Sequence, residues 1–146
     1  MVRRLAWFLA FAGAVPFVLA TGALFVSDAS SVRVPAIAAL VTYAAVILSF
    51  LAGIEWGLAI RDESGTEVTR AIALGLSTVS SLAAWAVLWL PSPTWQVGTA
   101  LGLFAAAWAA DQWMAGRGLL PAWFVDLRAA VSALVVAILA LALVRL

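Results

Sequence analysis

The strongest constraint on this chain is its rhythm of long apolar runs parted by short polar breaks. Five runs stand out, at about 5–26, 35–60, 68–90, 94–115 and 121–144. Each exceeds the roughly twenty residues that a helix rising about 1.5 Å per residue needs to cross a hydrocarbon core of about 30 Å. A soluble core could not absorb them. With 66% hydrophobic and 10% charged residues, too few polar side chains remain to cover the outside. In hydrocarbon every backbone amide needs an internal partner, so these runs are expected to be helices. The fold class that follows is an all-α polytopic membrane protein. Residues 1–146 form one integral-membrane domain, a bundle of five transmembrane helices.

The first run follows Arg3 and Arg4 and so resembles a signal peptide at its start. It is too long for one and lacks a small-residue cleavage site, so it reads as a retained span. "PSPT" at 91–94 is a tight turn, and "RDESGTE" at 61–67 is the longest polar loop. An inside N-terminus places Arg3, Arg4, Arg61, Arg70, Arg117 and Arg128 in the cytoplasm and only Arg33 and Arg145 outside. That bias predicts an N-in/C-out topology. Trp7, Trp89, Trp95 and Trp123 fall near the expected interfaces, where amphipathic rings anchor spans.

Several chemistries are closed by composition. The chain has no Cys, His or Lys. That removes thiol and iron–sulfur chemistry, histidine-ligated metals and haem, and the lysine aldimines of retinal and pyridoxal phosphate. No cofactor and no catalytic motif are expected. A net charge of +1 with scattered arginines gives no footprint for nucleic acid. The Lys-free, Ala-rich composition suggests a bacterial source, and with the topology a bacterial inner membrane.

Against this background the acids inside the apolar runs are conspicuous. Glu55 lies six residues before Arg61 and Asp111 six before Arg117, so both are expected about 9 Å inward of an interfacial arginine, at matching depth. "EWGLAIR" and "DQWMAGR" align acid to arginine without a gap. On the third run Arg70, Ser77 and Ser81 share one helical face, and Ser77 reaches the same layer. On the fifth run Arg128 and Ser132 share a face, while Asp126, two residues from Arg128, points elsewhere. The candidate polar or ion-binding layer is therefore Glu55, Asp111, Arg128, Ser77, Ser81 and Asp126. Arg128 is the natural counter-ion for either Glu55 or Asp111. The serines could instead bond carbonyls one turn back on their own helix. Gly53–Gly57 and Gly98–Gly102 are spaced as G-x-x-x-G, which predicts close helix packing within the bundle. Pro16 is expected to kink the first span.

"GAVPFVLA" at 13–20, "AVILSFLAGIEWGLA" at 45–59 and "LLPAWFVDLRAAVSALV" at 119–135 together resemble the transmembrane protein 69-like family, a domain of unknown function. The resemblance implies a small multi-span bundle of bacterial and mitochondrial membranes and carries no activity. It also implies that the position of Glu55 more often holds His or Arg, a slot for polar groups of either sign.

Three functions fit these residues. The first is a non-catalytic accessory, assembly or helix-packing module, its charged layer fixing helix register. Its partners are the lipid bilayer and either a larger membrane complex or a homo-oligomer. The second is an oligomeric proton- or cation-coupled transporter or channel using Glu55 and Asp111. An intramembrane acid–base enzyme is the third and the least furnished with groups, so the chain is not expected to be an enzyme.

Overall fold

The computed structural model describes residues 1–61 and 66–146, so the middle of the 61–67 loop lies outside the described residues. The described residues form six helices and no strand. These are α1 (Val2–Ala12), α2 (Val15–Val26), α3 (Ser30–Arg61), α4 (Glu67–Val87), α5 (Pro93–Ala115) and α6 (Ala122–Val144). α1 and α2 make one rod broken at Gly13 and Ala14, which leaves five rods. Four stretches, Val2–Val26, Ser30–Arg61, Glu67–Val87 and Ala122–Val144, are long and apolar enough to cross a membrane. α5 is long enough at 23 residues, but Gln96, Asp111 and Gln112 dilute its apolar character.

Local chemistry sets the boundaries. Pro16 has no N–H for the carbonyl of Ala12, and its ring crowds that carbonyl, so the first rod breaks just before it. The Gly13 carbonyl, exposed by the break, accepts a hydrogen bond of 2.9 Å from the Tyr43 hydroxyl of α3. α3 begins at Ser30, ahead of the expected 35, and carries Pro35 inside it. One missing bond so near the start of a 32-residue helix is tolerated. α4 stops three residues short of its expected end. Leu88, Trp89 and Leu90 donate to carbonyls three residues back, at 3.1, 3.1 and 3.2 Å, tightening the chain ahead of Pro91. Ser92 then caps α5 by accepting from the Trp95 amide, with Pro93 opening the first turn.

α5 ends in a Schellman turn. Gly118 takes φ +76°, which suits a residue without Cβ. The Leu119 amide donates 3.1 Å to the carbonyl of Met114. Met114 and Leu119 then bury together with Leu120, Ala59 and Ala73 in a small apolar cluster.

The main core lies towards the opposite end. Phe17, Leu24, Leu40, Leu48, Phe104 and Leu139 fill it. Between them the contacts are made by alanine. Ala44, Ala59, Ala84 and Ala142 are completely buried. Large apolar residues such as Phe8, Phe50, Leu82, Trp85 and Trp95 face outward. A surface of that kind suits hydrocarbon, where helices meet by close packing and not by fleeing water.

The glycine pairs do not make the close helix contacts that their spacing predicts. A Cβ built at Gly53, Gly57, Gly98 or Gly102 meets nothing within 4 Å. Gly53, Gly57 and Gly102 are exposed. Close approach inside the bundle comes from the alanines instead, because in these helices the inward positions hold Ala and the glycines fall on the outer side. Replacing Gly53 and Gly57 together by Ala should therefore raise stability by roughly 1 kcal/mol, through helix propensity alone. Unfolding in detergent measures this. A loss of stability accompanied by loss of a dimer would place the glycines between copies of the chain.

Arginines close the helix ends, where the last carbonyls have no partner within their own helix. Arg70 of α4 donates to the carbonyls of Ala59 and Ile60 at the end of α3, at 2.9 and 3.0 Å. At the far end Arg33 donates to Arg145 O at 2.6 Å, and Arg145 donates to Leu24 O at 3.1 Å. Both guanidinium groups also meet Asp28, at 3.5 and 2.9 Å. A cation at a helix C-terminus is favoured by the peptide dipoles as well.

Candidate functional site

α5 and α6 run antiparallel from the Schellman turn. Asp111, one turn before the end of α5, therefore comes level with Arg128, two turns into α6. Arg128 Nε donates 2.8 Å to Asp111 Oδ2. Asp111 and the Arg128 side chain are 1% and 7% exposed, so the pair is buried. A charge-assisted bond of this length is strong in a medium that screens little, and it offsets part of the cost of removing both ions from water.

Glu55 joins them from α3. It is 4% exposed and lies within range of the charges of both Asp111 and Arg128. Among the described residues, however, the only carboxylate within 4.0 Å of Arg128 is that of Asp111. The open choice of counter-ion thus resolves to Asp111, with Glu55 as a second carboxyl near the pair. The equal depth expected of the two acids is what lets one arginine feel both.

The other candidates divide. Ser77 is buried, but its hydroxyl turns back to donate 3.2 Å to the carbonyl of Leu74. Thr78 donates to the same carbonyl at 2.9 Å. Ser77 therefore satisfies itself on its own helix and contributes no bond to the charged layer. Ser81 is half-buried, one turn further on. Asp126 is exposed and stands apart from the layer. The i to i+2 spacing from Arg128 turns its side chain to a different face of α6.

Ser132, one turn after Arg128, is the residue that sequence reasoning left outside the layer although it shares the arginine's face. It is 4% exposed. Its Oγ and Arg128 Nη2 are buried without a hydrogen-bond partner among the described residues. Both residues line a cavity of about 350 Å³ whose other walls are apolar and come from α1, α2, α3, α5 and α6. The break at Gly13 and Ala14 forms part of that wall. Tyr43, Arg33, Arg70 and Arg145 were also missed as structural donors. Nothing local in the sequence marks a side chain that reaches a carbonyl on another helix.

Around the layer, arginines rest on tryptophans. Arg117 lies 3.9 Å above the ring of Trp113, and Arg3 5.7 Å above that of Trp123. Such stacking holds cationic heads near aromatic faces at one end of the bundle.

No curated protein and no solved structure matches the chain. A family model does, over residues 2–144, which is nearly the whole bundle and includes Glu55, Asp111, Arg128 and Ser132. The chain thus belongs to the family described as "Protein of unknown function (DUF3429)".

Proposed function

We propose that this protein is a non-catalytic multi-pass membrane module, an accessory or assembly subunit, held in register by a charged layer in the cytoplasmic leaflet of a bacterial inner membrane. In this reading all five rods cross, N-in and C-out, and α5 crosses despite its acid because Arg128 takes up the charge of Asp111. The kinship with the transmembrane protein 69-like family belongs to the same proposal.

The observation that carries it is the buried Asp111–Arg128 pair, closed by a bond of 2.8 Å. An ion-conducting acid needs water and an exchangeable partner, whereas this carboxylate is held by a guanidinium in a 1%-exposed position. Glu55 is the one feature that favours transport, since it has no counter-ion within 4.0 Å among the described residues. Proton and cation flux through proteoliposomes separates the two readings. Wild type and Glu55→Gln should both be indistinguishable from empty vesicles, and purification in mild detergent should retain a second membrane protein. A flux abolished by Glu55→Gln would replace the module with a transporter.

A further inference from the structure

The cavity beside Arg128 is built unlike an accidental packing defect. We infer that it is a binding site for a membrane-dissolved molecule with a neutral carbonyl oxygen at one end and an apolar body. Its volume, about 350 Å³, lies at the lower end of the roughly 300–1,000 Å³ typical of small-molecule pockets. The lining is apolar except at one place, where Arg128 and Ser132 meet it one helical turn apart. Arg128 and Ser132 are 6% and 4% exposed, and Nη2 of one and Oγ of the other have no partner among the described residues. A buried guanidinium N–H left unbonded is costly. A carbonyl oxygen at this end of the cavity would offset that cost once the two side chains, whose unpaired atoms lie just behind the wall, turn to donate to it.

The charge state selects a neutral acceptor. Arg128 already holds Asp111 through Nε, and Glu55 stands near both. A second carboxylate beside this pair would add an anion where few dipoles screen it, while a ketone, quinone or ester oxygen adds none. Access is from the side. α1 buries none of its residues and rests on α6. Leu9 of α1 and Phe50 of α3 both line the cavity and are 57% and 62% exposed, so the space reaches the outer face between those two helices. In a bilayer an apolar cavity by itself attracts nothing, because lipid tails offer the same contacts. The polar pair therefore decides which molecule stays.

Three probes of similar length test this on the detergent-purified chain: 2-tridecanone, dodecanoate and tridecane. Binding is measured by ligand-retaining native mass spectrometry and by thermal shift. The ketone should bind at least tenfold more tightly than the alkane and more tightly than the carboxylate. Ser132→Ala should weaken the ketone several-fold. Ala10→Trp, on the peripheral α1 and lining the cavity, should abolish its binding while the unliganded melting temperature stays near that of wild type. Equal binding of all three probes, or none, would overturn the site. Dodecanoate binding more tightly than the ketone would overturn the neutral-carbonyl assignment, and ketone binding unaffected by Ala10→Trp would place it elsewhere.

Discussion

Asp111→Ala is expected to destabilise the folded bundle by about 3–5 kcal/mol, because it leaves a buried guanidinium without its counter-ion. The arginine has little room to escape, since its side chain is 7% exposed among α5, α3 and the cavity wall. Removing both charges is a different matter. Asp111→Leu combined with Arg128→Met should be close to wild type in stability, since it deletes the desolvation cost together with the attraction. Chemical unfolding in a single detergent, monitored by tryptophan fluorescence, gives both values. A single substitution costing less than about 1 kcal/mol would mean that water reaches the pair.

The second large effect is apolar. Phe17 is 1% exposed and stands at the crossing of three helices. It meets Tyr43 edge-on at 5.0 Å and Phe104 at 5.8 Å. Phe17→Ala should cost about 3 kcal/mol, the lower end of the range for such truncations in soluble cores. The lower end applies in a bilayer because the transfer from water contributes little there and the loss is mostly dispersion. The substitution also enlarges the neighbouring cavity, which Phe17 lines. Phe8→Ala is the control. Phe8 is 70% exposed, and its truncation should change stability by less than about 0.5 kcal/mol. Equal losses at the two positions would place Phe8 in an interface as well.

Much of the architecture was legible because it depends on length along the chain. Counting residues located the apolar rods, and the same count put Glu55 and Asp111 level with each other. Depth follows from the fixed helical rise, whatever the neighbouring helices do. Direction around a helix is another matter. α3 and α5 are apolar on nearly every side, so no stripe marks the face that turns inward. That is why the glycine spacing suggests packing positions that alanines in fact take. It is also why the sequence leaves the partner of Arg128 open between two acids, a choice that the azimuth of α5 decides. Ser77 shows the same limit on a smaller scale. It is buried, as its face predicts, yet its hydroxyl bonds a carbonyl of its own helix.

The arginines carry a further lesson. Counted as charges, they predict orientation. Placed in three dimensions, Arg33, Arg70 and Arg145 are donors to the open carbonyls of helix ends. The two roles are compatible, since helix ends and interfaces coincide in a spanning bundle. Which carbonyl each arginine reaches depends on helix neighbours up to 121 residues distant in sequence.

The most direct test of the charged layer is a double-mutant cycle on Asp111→Ala and Arg128→Met, with unfolding free energies measured for wild type, both single variants and the double. A buried, directly bonded pair requires a coupling of at least about 2 kcal/mol. Free energies that add to within about 0.5 kcal/mol would contradict it, and would show that Asp111 and Arg128 do not hold α5 to α6.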